Sequence, residues 1–200
     1  MCVLSHGPRP VYIAPTVTEP VKAEPMERAR TWLRWPMWWR MDKCDLSLMD
    51  RTKFIIDVSH EYDAPPERVQ KSFLGFVGDP PWSPGFLGAD WWTPPRELDK
   101  AVMDELYAFM AMRVEVLEHT PGSRTVAYVS RWSLPFANTM IQLVETNPRP
   151  GGGTVMRYRV AYEPPKLVAW MVPMVEGLFR AWFVKSLQGL ARTLAQPEKP

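Results

Sequence analysis

Hydrophobic and polar positions alternate with a period of two along several stretches of this chain and pass into a helical period near its C-terminal end. The first alternation begins near Lys53, where Phe54, Ile56 and Val58 alternate with Ile55, Asp57 and Ser59 and predict a strand. Asp63-Ala64-Pro65-Pro66-Glu67-Arg68-Val69 follows. Asp63 is a helix N-cap candidate, the prolines suit a first helical turn, and Glu67 lies near the positive end of the helix dipole. A short helix over about 65–75, burying Val69, Phe73 and Leu74, is the expected result. Farther on, Met110, Met112, Val114 and Val116 alternate with Arg113, Glu115 and Glu118. After a Pro121-Gly122 turn, Val126, Tyr128, Ser130 and Trp132 alternate with Ala127, Val129 and Arg131. A third run covers about 138–146, and a fourth, 154–162, sets Met156, Tyr158, Val160 and Tyr162 against Arg157 and Arg159 beyond the turn Pro148 to Gly153. These runs predict antiparallel hairpins with one apolar and one charged face.

The last element, about 166–195, reads as the longest helix. In its second half Leu178, Phe179, Trp182, Phe183, Leu187, Leu190 and Leu194 share one face, with Arg180, Lys185, Gln188 and Arg192 opposite. Its first half, Leu167 to Val175, carries no charge and includes Pro173. That stretch is far shorter than the roughly 20 residues that span a bilayer. It therefore requires cover from protein, ligand, another subunit or a membrane surface.

Composition adds an excess of 22 Pro, 10 Trp and 12 Met in 200 residues. Pro8, Pro10, Pro15, Pro20 and Pro25 mark residues 1–25 as a disordered, extended tail. Residues 26–52 form an Arg/Trp-rich extension in which Arg28, Arg30, Arg34 and Arg40 are interleaved with Trp32, Trp35, Trp38 and Trp39. Those indoles either dock onto the domain or meet a membrane interface, where Trp and Arg are both favoured. Residues 76–100, rich in Pro, Gly and Trp, read as an irregular loop serving as lid or plug, with a short helix expected over 96–106. An ordered domain over 53–195 and a short tail at 196–200 complete the division.

Several function classes drop out. A net charge of +2 without a run of Lys or Arg gives no footprint for nucleic acid. Cys2 and Cys44 are too few for a disulfide scaffold or a four-ligand zinc site, which suits a reducing compartment. The N-terminal residues lack the charged and apolar regions of a secretory signal, so the expected location is cytoplasmic, with peripheral membrane contact as the alternative. His6, His60 and His119 show no metal-ligand spacing, so no metal is expected. No Gly-x-Ser-x-Gly elbow, dinucleotide turn or Walker loop occurs, and no cofactor is expected.

Strand, short helix, a run of antiparallel strands and one long C-terminal helix is the element order of an α+β helix-grip architecture, a curved antiparallel sheet wrapped around its last helix. With it, the strand from Lys53 to Glu61 leading into Tyr62 to Val69, the Leu134-Pro135 pair, Gly151-Gly152-Gly153-Thr154 and the terminal Leu187 to Leu194 resemble the START-like superfamily, also called the SRPBCC or polyketide cyclase/dehydrase and lipid-transport group. The resemblance covers about residues 53–195 and implies a deep apolar cavity between sheet and helix. Soft and aromatic side chains suit such a lining. The candidates are Met110, Met112, Tyr128, Ser130, Trp132, Met140, Met156, Tyr158, Trp170 and Met174, joined by Tyr162 and Met171, although the same side chains also serve as plain core.

The leading functional expectation is a non-enzymatic binder or carrier of a hydrophobic small molecule. It calls for an internal cavity of a few hundred Å³, the scale of ligand pockets. The enzyme alternative is a polyketide cyclase, aromatase or dehydrase using inward polar groups such as Tyr128, Ser130, Asn138 or Tyr158. Two or more convergent titratable or hydroxyl groups in the cavity would favour it. The third reading is a peripheral membrane protein acting through Trp32, Trp35, Trp38 and Trp39.

Overall fold

The period-two stretches become strands of one antiparallel sheet, and the helical stretch becomes the helix that closes its concave face. A computed structural model describes residues 39–74, 82–91, 98 and 100–196. The expected tail 1–25, Trp32, Trp35 and Trp38, much of the 76–100 loop and residues 197–200 lie outside the described residues. The elements are β1 Trp39–Arg40, α1 Leu48–Arg51, β2 Ile55–Tyr62, α2 Pro66–Leu74, β3 Phe86–Trp91, β4 Val102–Tyr107, β5 Ala111–Thr120, β6 Arg124–Trp132, β7 Thr139–Pro148 and β8 Thr154–Glu163. A 3₁₀ turn, Ala169–Met171, leads into α3, Val172–Leu194. The sheet order is β2-β8-β7-β6-β5-β4-β3, and β1 pairs with the end of β6. This is the α+β helix-grip arrangement that the element order implied. No described helix is long and apolar enough to cross a membrane.

Two strands replace elements expected otherwise. Val102–Tyr107 is not part of a helix over 96–106 but the strand β4, paired with β5 through Val102↔Glu115 and Asp104↔Arg113. Phe86–Trp91 extends the sheet as β3 within the stretch expected to be irregular. Asp104 and Glu105 in succession hide the alternation of β4. Asp104 leaves the cavity side and is neutralised by Arg113 at 2.7 Å, whereas Met103, Glu105 and Tyr107 take the inner face.

A β-bulge also resets the sheet's two faces. Val129 pairs with Val114 while Arg131 pairs with Arg113, so Ser130 is an extra residue with no counterpart on β5. An inserted residue reverses which parity faces inward. Ala127 and Val129 therefore point inward before the bulge and Trp132 after it, while Val126 and Tyr128 point to the opposite face. There they join Cys44, Leu48, Ile141, Leu143 and Ala161 in a second, smaller core, covered by the segment from Met41 to α1. Residues 44–52 thus belong structurally to the domain's outer face, while Met41 is buried in the main core.

The second half of α3 packs tightly. Phe183, Leu187, Leu190 and Leu194 are buried against the sheet, and the Tyr62 hydroxyl donates to the Leu187 carbonyl at 3.1 Å. Leu178, expected on this face, is instead exposed. Gly189 is where the helix meets the backbone at Trp82, so closely that a Cβ there would strike the Trp82 carbonyl. Gly177, on the same helix, has nothing within 4 Å of such a Cβ.

These two glycines should respond with opposite signs. Gly177→Ala should stabilise the protein by about 0.5–1 kcal/mol through helix propensity alone. Gly189→Ala should destabilise it by about 1–3 kcal/mol, as overpacking does. Urea unfolding of both variants checks this, and two shifts of the same sign would contradict the close approach at Trp82.

Candidate functional site

Between the concave face and α3 the packing leaves a cavity of about 90 Å³. That is smaller than the few hundred Å³ expected from the sequence. Since one water needs about 10–15 Å³ by the same measure, it has room for a small ring system. Strands β4 to β8 form its floor, and Val168, Met171, Val172, Val175 and Phe179 roof it from the uncharged beginning of the last helical segment. Phe73 of α2 closes one end, stacked on Trp82 with ring centroids 5.0 Å apart and edge-on to Tyr158 at 5.4 Å. Tyr158 continues to Phe183 at 4.9 Å and Phe183 to Trp182 at 4.9 Å. At the other end Trp132 lies 5.9 Å from Phe179, and its indole N–H points to the Met110 sulfur at 3.4 Å. Edge-to-face contacts of this kind hold rings at fixed angles. The methionines in the wall, among them Met103, Met112 and Met140, have the rotatable bonds to adjust around a guest.

The structure brings together five of the ten ligand candidates named from the sequence. Met110, Met112, Trp132, Met140 and Tyr158 line the cavity, as do Tyr162 and Met171. Tyr128 and Ser130 do not, because the bulge turns Tyr128 to the outer face, where its hydroxyl donates to Glu115, and takes Ser130 out of the alternation. Met156 is fully buried in the main core but outside the lining. Trp170 and Met174 are 75% and 68% exposed, since the inward positions of that segment are Val168, Met171, Val172 and Val175. Asn138, one of the polar candidates, is also outside the lining.

The polar groups of the cavity come mostly from places where the sequence offered little signal. Glu105 and Tyr107 arrive on β4, Ser186 on the buried face of α3 between Phe183 and Leu187, and Ser83 from the segment after Trp82. A Met103, Glu105, Tyr107 alternation was readable for β4, and Ser186 lies among apolar residues at helical spacing; Ser83 carried no signal. The Tyr107 hydroxyl donates to Glu105 Oε2 at 2.9 Å. Ser186 donates to the Trp182 carbonyl at 2.9 Å and lies 2.9 Å from the Ser83 hydroxyl, which is also a hydrogen-bond partner of Tyr107. Four side chains therefore form one line of polar contacts along the cavity wall.

Burial dominates the electrostatics here. It pushes the Glu105 carboxyl up from 4.5 to about 7, opposed only in part by the Tyr107 hydrogen bond. The Tyr107 and Tyr158 hydroxyls are held well above the usual tyrosine range, first by burial and then by the nearby Glu105 charge. Among the described residues no Lys, Arg or His side chain lines the cavity. Among the described residues no cluster of three His, Cys, Asp or Glu side chains converges to hold a metal.

Residues 53–195 match the family described as polyketide cyclase / dehydrase and lipid transport. No protein of curated function matches the chain in sequence. Among solved structures, a protein from Chromobacterium violaceum is 22% identical with a TM-score of 0.54, covering 72% of this chain and 98% of its own. A Thermus thermophilus protein is 16% identical with a TM-score of 0.59, over 70% of this chain and 97% of its own. A START superfamily protein from Mycobacterium smegmatis is 14% identical with a TM-score of 0.58, over 70% of this chain and 99% of its own. At such identities these likenesses concern the fold.

The buried carboxyl has a measurable consequence. Folding raises the Glu105 pKa, so the folded chain keeps a proton that the unfolded chain releases between pH 4.5 and about 7. The stability contributed by this group is thus complete below pH 4.5 and lost as pH rises to about 7, by at most about 3 kcal/mol. Denaturant unfolding at pH 5 and pH 8 should show that decline in the wild type and a much flatter profile in Glu105→Gln. Identical profiles would mean that Glu105 is not buried as described.

Proposed function

Because the chain belongs to the polyketide cyclase/dehydrase and lipid-transport family, we propose that it binds and carries a hydrophobic small molecule in the cavity between its sheet and α3. The observation behind this reading is a partly open, largely apolar space between the sheet and α3 in an otherwise close-packed core. Well-packed interiors leave few voids larger than a water, and a cavity of this size leaves its lining without dispersion partners that a guest would supply. Met110, Met112, Trp132, Met140 and Tyr158 are the contacts proposed for the guest, with Met103 beside them. Carriage would then require α3 or its leading turn to move aside, and the adaptable methionines reduce what that movement costs in packing.

An enzymatic reading, a cyclase or dehydrase working by proton transfer, is supported by one observation. Glu105, Tyr107, Tyr158, Ser83 and Ser186 converge on the same space. Carrier and enzyme part company on what happens to the guest: a carrier releases it unchanged, whereas an enzyme releases a product that has lost water or closed a ring. Mass spectrometry of the material released from the purified protein distinguishes them.

A membrane-peripheral role rests on a different surface. Leu167, Trp170, Met174 and Leu178 are 84%, 75%, 68% and 72% exposed and form an apolar stripe along the outer side of the segment that roofs the cavity. Rows of exposed apolar residues of this kind mark contact surfaces. A bilayer interface meeting them would sit directly above the cavity roof, and Trp32, Trp35, Trp38 and Trp39 are proposed to add to that contact.

Filling the cavity tests the first reading. Ala127→Phe introduces a ring at a lining position of β6 and should weaken binding of propylbenzene, a neutral single-ring probe, by about tenfold or more in calorimetry, the equivalent of losing a modest part of the apolar contact. Unchanged affinity in a folded variant removes the cavity as the binding site. Trp170→Ser with Leu178→Ser, both at exposed positions, should leave the fold intact while abolishing co-sedimentation with anionic phospholipid vesicles. Equal sedimentation of variant and wild type would eliminate the stripe as a membrane contact.

A further inference from the structure

Glu105 is an unusual occupant of an apolar cavity because only half of its hydrogen-bonding capacity is used. It is 7% exposed, and Tyr107 donates to Oε2; Oε1 has no partner among the described residues. The Tyr158 hydroxyl, whose electrostatic neighbour is Glu105, likewise has no hydrogen-bond partner there. The protons of the adjoining line are already committed. Tyr107 gives its proton to Glu105 and Ser186 to the Trp182 carbonyl, which leaves the single Ser83 proton to be given to Tyr107 or to Ser186. Glu105 and Tyr158, both in the lining, therefore offer the cavity one strong acceptor, Glu105 Oε1, and one donor, the Tyr158 hydroxyl, with the neutral amide of Gln142 as a further polar group of the lining.

That pairing has the hydrogen-bonding complement of a hydroxyl group, which donates one hydrogen bond and accepts another. A carboxylate or phosphate would fit badly, because it would bring a second negative charge beside Glu105 into a lining that has no Lys, Arg or His among the described residues. An ether or a bare hydrocarbon would leave the carboxylate oxygen unsatisfied in a low-dielectric space, a cost that a donor group removes. Resting on the cavity-binding reading above, we propose that the guest is an apolar molecule bearing an uncharged hydroxyl, which donates to Glu105 and accepts from Tyr158. The cavity's size makes the hydroxyl-bearing portion a small ring, such as a phenol.

Binding at this carboxyl is independent of the exposed apolar stripe on the outer side of the roof. A matched series of probes tests it by calorimetry on the full chain at pH 8: 4-propylphenol, 4-propylanisole, propylbenzene and 4-propylbenzoate. The phenol should bind about tenfold to a hundredfold more tightly than the anisole and propylbenzene, the ratio associated with a hydrogen bond to a charged group, and the benzoate more weakly than all three. In Glu105→Met the phenol and the anisole should bind alike, while Tyr158→Phe should reduce the preference for the phenol in part. If the wild type binds the anisole or the benzoate as tightly as the phenol, the hydroxyl proposal is wrong although the cavity reading stands. If none of the four binds, the cavity reading itself falls, and this proposal with it. The wild-type series decides the matter even where a substitution at Glu105 prevents folding.

Discussion

The long C-terminal helix has to satisfy two demands at once, and the rest of the molecule is arranged around that division. Its second half is clamped: Phe183, Leu187, Leu190 and Leu194 fill the concave sheet, Gly189 admits the Trp82 backbone, and Arg68 of α2 donates to the Leu194 carbonyl at 3.3 Å. Its first half and the turn before it bridge a space that the sheet does not fill. A helix anchored by one half can span a cavity with the other, because the buried anchor supplies the stability that the bridge lacks. Pro173, placed in the first turn where a missing N–H costs nothing, fits the start of that bridge.

The same division explains the two faces of the uncharged segment. Val168, Met171, Val172 and Val175 look into the cavity, while Leu167, Trp170, Met174 and Leu178 look out. A stretch without charge is needed where both sides of a helix meet apolar surroundings. Here the inner surroundings are the cavity and the outer face is open. On the far side of the sheet the opposite solution holds: the short segment around α1 seals a small apolar core, and beyond it Arg157 with Asp57, Arg159 with Glu145 and Arg113 with Asp104 form cross-strand ion pairs. Those pairs fix strand partners on the solvent side and keep charge away from the cavity.

Within the cavity the chemistry depends on one unneutralised carboxyl. Burying Glu105, with no cation among the described residues of the lining, raises its pKa to about 7, and the hydrogen bond from Tyr107 opposes that rise in part. With Glu105 protonated, the line through Tyr107, Ser83 and Ser186 can run from the carboxyl to the Trp182 carbonyl, each group donating once. With Glu105 ionised, Tyr107 turns its proton toward the carboxylate. One arrangement of atoms thus serves both protonation states, which suits either recognition of a hydroxyl or proton exchange with it.

Much of this architecture was legible in the chain. Alternation placed the strands from β5 to β8, the Asp63 to Val69 segment placed α2, and helical periodicity placed α3, because each of these signals is local and repeats along the chain. The helix-grip fold followed from their order. Five of the ten expected lining residues reached the cavity: Met110, Met112, Met140 and Tyr158 because their alternation runs uninterrupted, and Trp132 because the bulge at Ser130 returns it to the inner face. Tyr128 and Ser130 did not, because the bulge at Ser130 depends on how β6 pairs with β5, a relation between strands that neither strand shows alone. Trp170 and Met174 turned outward because the 3₁₀ turn and the docking of α3 set the rotation of the segment, and hydropathy cannot orient a stretch that is apolar all round. Glu105 escaped notice for a related reason. Two adjacent acids look alike in sequence, and it is pairing that sends Asp104 to Arg113 and Glu105 into the cavity. Periodicity along the chain was enough to specify the elements and their order; which face each side chain takes at the site depended on register and packing between elements distant in sequence.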